Sequence, residues 1–116
     1  MEDKMTINGR TLGLYYSIGA DAEIDDEMQK IAVADFGAFI DRLGPGRAYA
    51  KLAAILNKWY CIQNGGEPIS EKDFLLLSAH EFQNLREAVI KAMAEDKKTQ
   101  IKAKPVKGKN AESADA

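Results

Sequence analysis

Cysteine and histidine occur once each in the 116 residues, as Cys61 and His80, and tryptophan once, as Trp59. A lone cysteine closes no internal disulfide, and one cysteine with one histidine supplies too few nitrogen and sulfur ligands for a zinc site. Long apolar runs are also missing. No stretch approaches the roughly 20 residues that cross a bilayer, and the opening Met1-Glu2-Asp3-Lys4 is charged. The expectation is a soluble intracellular protein with no membrane partner. The length supports one domain with one modest core, which excludes barrels and two-domain dinucleotide enzymes.

What is present is charge, unevenly placed. Sixteen basic and eighteen acidic side chains give a formal net charge of -2. From Lys97 onward six lysines face only Glu112 and Asp115, a balance of +4, so residues 1–96 carry -6. That terminal stretch has only Ile101 and Val106 as large apolar groups, too few to offset the entropy of ordering it. A flexible basic tail over 98–116 is expected, with no arginine or aromatic side chain interleaved to favour nucleic acid.

The beginning of the chain reads as a hairpin, because Asn8-Gly9 supplies the two positive-φ residues of a type I′ turn. With that turn Ile7 faces Arg10, Thr6 faces Thr11 and Met5 faces Leu12. Met5, Ile7, Leu12, Leu14 and Tyr16 then share one apolar side. A two-stranded hairpin is marginal alone and needs helices or another subunit to cover it.

Helices follow. One starts at Ser17 and runs to about Met28, with Ile18, Ala22 and Ile24 assigned to its inner side and Asp21, Glu23, Asp25, Asp26 and Glu27 elsewhere. Asp35 caps a short helix to Leu43, whose Phe36, Phe39, Ile40 and Leu43 recur at helical spacing before Gly44-Pro45-Gly46 ends it. From Arg47 to about Gln63, Ala48, Leu52, Ile55, Trp59 and Ile62 give the strongest helical period, that of a central core helix. Asn64-Gly65-Gly66-Glu67-Pro68 closes it. Two capping boxes follow, Ser70-Glu71-Lys72-Asp73 and Ser78-Ala79-His80-Glu81, and the second opens a helix to about Asp96 striped by Phe82, Leu85, Val89 and Met93. The fold class is mainly α: about four to five helices with an N-terminal β-hairpin, α+β by strict count. Residues 1–97 form this domain.

Chemistry is hard to find in this pattern. His80 lies inside a capping box at a helix start, with no nucleophile placed beside it by a known motif. Cys61, next to Trp59 and Tyr60, lacks a neighbouring base and reads as a half-buried structural thiol. The acidic run from Asp21 to Glu27 lacks the turn glycine of a calcium loop and reads as a solvated helix face. Gly44-Pro45-Gly46-Arg47 lacks the Gly-Lys-Ser/Thr ending of a phosphate loop. No catalytic, cofactor or metal residues are assigned, and the chain is not read as an enzyme. Phe74-Leu75-Leu76-Leu77, in contrast, puts four large apolar side chains round one full helical turn, more than a single core can cover. Either the short helix is sandwiched within the domain or the surplus forms a partner-binding or self-association surface.

Four blocks in order resemble the tail assembly chaperones of long-tailed bacteriophages and prophages: Ile7-Asn8-Gly9-Arg10-Thr11-Leu12-Gly13-Leu14, then Ser17-Ile18-Gly19-Ala20-Asp21-Ala22-Glu23-Ile24, then Ala53-Ala54-Ile55-Leu56-Asn57-Lys58-Trp59-Tyr60, then Ile69-Ser70-Glu71-Lys72-Asp73-Phe74-Leu75-Leu76-Leu77 with a helix and a lysine-rich end. The order of the blocks is more specific than any one of them. The resemblance implies a non-catalytic protein of the host cytoplasm, absent from the mature virion, that binds the tape measure protein and keeps it soluble while the tail tube polymerises around it. It also implies a longer frameshifted product credited with recruiting the tail tube protein; Lys97-Lys98 is compatible with A-rich codons. The residues expected to meet a partner are Phe74, Leu75, Leu76, Leu77, Trp59 and Tyr60. Competing readings are another phage morphogenesis component, such as a connector or minor tail protein, and a small DNA-binding regulator. Only three arginines before residue 80 (Arg10, Arg42, Arg47) and an acidic body count against nucleic acid.

Overall fold

A computed structural model of the chain describes residues 5–103, with side chains through residue 94. Within them lie a two-stranded antiparallel hairpin, β1 (Thr6–Ile7) and β2 (Arg10–Thr11), and five helices: α1 (Ile18–Lys30), α2 (Phe36–Leu43), α3 (Pro45–Asn64), α4 (Glu71–Leu75) and α5 (Ala79–Ala103). The expected fold class holds. Among the described residues no helix is long and apolar enough to cross a membrane.

The hairpin has the expected register, Thr6 opposite Thr11 and Ile7 opposite Arg10, around Asn8 and Gly9 at φ 52° and 80°. The Leu12 N–H donates to the Met5 carbonyl at 2.8 Å, one step beyond the ladder. Ile7, Leu12 and Tyr16 are buried, and Met5 and Leu14 lie against the same core. An extended segment then leads to α1, where the Ser17 hydroxyl accepts from the Ala20 N–H.

On α1 the inner face is Ala20 and Ile24, with Met28 behind them. This corrects the expected grouping, since Ile18 is 81% exposed and Ala22 also faces outward. Ile18 and Ala22 form one i, i+4 row and Ala20 and Ile24 another, on roughly opposite sides of the helix. The sequence contains both rows, and packing on α3 selects the second. Asp35 caps α2 as expected, accepting from the Ala38 N–H, and Phe39 is its fully buried residue.

Helix α3 packs against α1, α2, α4 and α5. It begins at Pro45, two residues before the expected start, because proline has no N–H to leave unpaired in a first turn. Between Ala48 and Asn57 it is buried on nearly every side, as a helix surrounded by others must be. Past Asn57 the neighbours thin out. Ile62, expected in the core, is 63% exposed for that reason.

Ser70 caps α4 through the Asp73 N–H. The second capping box is complete, with Ser78 N–H donating to Glu81 Oε1 at 3.0 Å and Glu81 N–H to Ser78 Oγ at 3.2 Å. Leu85 and Val89 carry α5 onto the core, and Phe82 meets Tyr49 edge to face at 6.0 Å. Helix α5 continues to Ala103, past the expected end near Asp96. Residues 97–103 contain no glycine or proline, and the first breaker is Pro105. The expected boundary after residue 97 therefore falls inside α5, and residues 104–116 of the expected tail lie outside the described residues.

Candidate interaction surface

The run Phe74 to Leu77 divides in two. Phe74 is 3% exposed in the core and Leu77 packs against the core's edge, while Leu75 and Leu76 are 49% and 75% exposed. The division follows from geometry. A helix of five residues presents one face to α3, and Leu76 already caps its end, its N–H bonded to the Asp73 carbonyl and the next N–H, that of Leu77, to the Phe74 carbonyl. The two outward leucines thus form an apolar corner where α4 turns into α5. Glu81, in the first turn of α5, follows this corner in the chain. Hydrogen bonds from the Ser78 N–H, and then from its hydroxyl, hold the Glu81 carboxyl below the usual carboxylate range, with a smaller contribution from His80.

Trp59 and Tyr60 have a different situation from the leucines. The indole of Trp59 lies on Gly19 and the ring of Tyr60 on Gly13, so closely that a Cβ added to either glycine would fall under 3.0 Å from ring carbons. Trp59 Nε1 donates to Glu23 Oε1 at 2.5 Å, and Lys58 Nζ lies 2.6 Å from Glu23 Oε2. Burial would raise the Glu23 pKa, but the hydrogen bonds from Lys58 and Trp59 and the Lys58 charge together hold it below the ordinary carboxylate value. Trp59 is thus partly engaged in joining α1 to α3, whereas Tyr60 keeps an exposed edge.

Asn57 was given no role by the sequence pattern, yet among the described residues it is the buried polar residue of the core, 2% exposed. Its Nδ2 donates to the Gly13 carbonyl at 2.8 Å, and its Oδ1 accepts from the Ile69 N–H at 2.7 Å. One side chain on α3 therefore fixes both the segment leaving the hairpin and the loop entering α4. Beside it Tyr15 N–H donates to the Leu56 carbonyl, and Arg10 reaches across to the Glu67 carbonyl. The available signal was an amide inside an otherwise apolar run, Ala53-Ala54-Ile55-Leu56-Asn57.

His80 is exposed at the start of α5, and Cys61 is half-buried with its Sγ 3.9 Å from Asn57 Oδ1. Among the described residues no three His, Cys, Asp or Glu side chains converge as metal ligands. The acidic residues of α1 instead make local pairs, Glu27 with Lys30 and Lys51, and Asp25 with Gln29. Compared with family models, with curated proteins and with solved structures, the chain finds no match.

Proposed function

We propose that this protein is a phage tail assembly chaperone, a non-enzymatic binder that keeps the helical, apolar tape measure protein soluble during tail assembly. The observation that carries the reading is the Leu75–Leu76 corner, two large apolar side chains turned to solvent beside a third, Phe74, that anchors them to the core. A holder of an aggregation-prone helix needs such surface for its client and net charge for its own solubility; the acidic body of -6 supplies the charge. The block order described above supports the phage assignment. In this role the protein acts in the host cytoplasm and leaves before the virion matures, and the tail tube protein is engaged through a longer frameshifted form.

The test is co-expression with the tape measure protein of the same phage. Wild-type chain should hold the client in the soluble fraction, and the Leu75→Asp, Leu76→Asp double variant should lose it. A folded double variant that still keeps the client soluble sinks the assignment of this corner. Mass spectrometry of purified particles separates a chaperone from a connector or minor tail protein, since only the latter two remain in the virion.

A further inference from the structure

Of residues 64–80, Ile69 and Phe74 are buried, each 3% exposed, Leu77 packs at the core's edge, and most of the others face solvent. The segment carries its own backbone hydrogen bonds. The Asp73 and Phe74 N–H groups donate to the Ser70 carbonyl, Leu76 to Asp73 and Leu77 to Phe74, and the Ser78–Glu81 box starts the next helix independently. Its ties to the rest of the domain run through side chains: Ile69 N–H to Asn57 Oδ1, Arg10 Nη1 to the Glu67 carbonyl at 2.7 Å, and Lys51 Nζ 3.4 Å from Glu71 Oε1. Lys51 also lies 3.6 Å from Glu27 Oε1, so its hold on Glu71 is shared.

Both ends of the segment can turn. Gly65 and Gly66 have φ of 92° and 102°, and a Cβ on either would meet nothing within 4 Å, so glycine serves backbone freedom there and not packing. At the other end Leu77 and Ser78 lie outside both α4 and α5. A segment with its own internal bonds, two buried side chains and a turning point at each end opens as a unit at lower free energy than the core. The exposed corner, moreover, is small for its task. Two leucines are a minor part of the roughly 800 Å² that each partner brings to a stable interface, while Phe74 and Leu77, the rest of the same apolar run, are turned inward.

We propose that residues 67–77 form a strap that swings away from α3 on Gly65-Gly66, so that Phe74 and Leu77 join Leu75 and Leu76 around one apolar client helix. The identity of the client rests on the tape measure reading; the opening does not. Closed, the strap shields Phe74 from water and limits the apolar surface that the unoccupied protein displays. The client meets the outer leucines first, and its apparent affinity is reduced by the fraction of chains whose strap is closed.

Amide hydrogen exchange of the full chain, without client, tests the opening. The Ile69 N–H should exchange about tenfold or more faster than the Leu52 and Leu56 amides in the buried part of α3. Phe74→Leu, five residues away, should speed Ile69 exchange about tenfold, because both side chains leave α3 in one movement. Gly65→Ala should do the same, since φ of 92° with ψ of 168° is a conformation confined almost to glycine and strains the closed state. The second arm dilutes the tape measure protein from denaturant into the full chain and follows light scattering. Gly65→Ala should hold this client at a lower concentration than wild type does, although it is the less stable protein. A zero-length carbodiimide cross-link between Lys51 and Glu71, made in a Glu27→Gln background and confirmed by peptide mass, should raise the concentration needed about tenfold. Glu71→Gln in the same background and treated the same way should not. An Ile69 amide no faster than those of α3, Ile69 exchange indifferent to Phe74→Leu, or undiminished holding by the cross-linked protein overturns the proposal. So does a Gly65→Ala dimer joined through the strap, because the occupant is then a second copy. A wild-type protein that never holds the client overturns the tape measure reading and this use of the strap, while the exchange results decide the opening by themselves.

Discussion

Replacing Asn57 by leucine tests the architecture at its most constrained point. The substitution keeps approximate size and removes both hydrogen bonds, leaving the Ile69 N–H and the Gly13 carbonyl without their partner. Ile69 is buried, whereas Gly13 is partly exposed and its carbonyl can turn to water. A buried donor left unpaired costs about 1–3 kcal/mol, and a second group with access to solvent less. The expected loss is about 2–4 kcal/mol, a large share of the ~5–15 kcal/mol typical of a domain. Urea unfolding followed by Trp59 fluorescence measures it, and with a slope of ~1–2 kcal/mol per molar the midpoint should fall by roughly 2 M. Asn57→Asp separates polar pairing from packing. Its ionised carboxylate accepts from Ile69 but has no proton for Gly13, and burial raises its folded-state pKa above the unfolded value. The variant is therefore most handicapped at neutral pH, and its deficit relative to wild type should shrink as pH falls towards the carboxylate range and a proton returns. The leucine variant should show no such recovery. An Asn57→Leu protein within about 0.5 kcal/mol of wild type would refute the clip as a stabilising element.

Other outcomes follow from the same contacts. Gly19→Ala favours α1 by about 1 kcal/mol in helix propensity, but its methyl meets the Trp59 indole pinned by Glu23, so a net loss of about 1–2 kcal/mol and an altered Trp emission are expected. Gly13→Ala should cost less, because the half-exposed Tyr60 ring can swing aside. Glu23 has a folded-state pKa below its unfolded value, so its contribution is present at neutral pH and is lost as pH falls through the folded-state value. Glu23→Gln should accordingly flatten the acid limb of a stability-versus-pH curve measured by urea midpoints. Phe74→Ala should cost about 3–5 kcal/mol in the same assay, whereas Leu75→Ser, Leu76→Ser should stay within about 0.5 kcal/mol per site.

Local rules made some parts of this fold legible. Asn8-Gly9, Asp35, Ser70 and Ser78 each act through their nearest neighbours, and the hairpin register and the three helix starts follow from them. Pro45 is the instructive exception, since one residue ends α2 and also opens α3, and turn chemistry alone describes only the first role. Facing was harder to read. Both rows of α1 are apolar enough to be buried; Ala20 and Ile24 are the buried pair, and beside them Gly19 lets the Trp59 ring approach the backbone. That is a contact across forty residues, and periodicity carries no information about it.

The same limit applies to the surface, where it has a functional consequence. A stripe such as Leu52, Ile55, Trp59 and Ile62 specifies a face of α3 but not how far the neighbouring helices extend along it. Burial on α3 ends at Asn57 in the contiguous stretch from Ala48, and Ile62, near the end of the helix, is exposed. At α4 the cause is different, for four consecutive apolar side chains go round a full helical turn and only one side of it faces the core. Exposed apolar groups thus arise twice, once from a helix outrunning its partner and once from a run too dense for its helix. In neither place does a local rule demand an apolar residue, so serine at Ile18, Ile62, Leu75 or Leu76 should leave the fold intact. The presence of Leu75 and Leu76 side by side where stability does not require them is the physical reason for assigning that corner to binding.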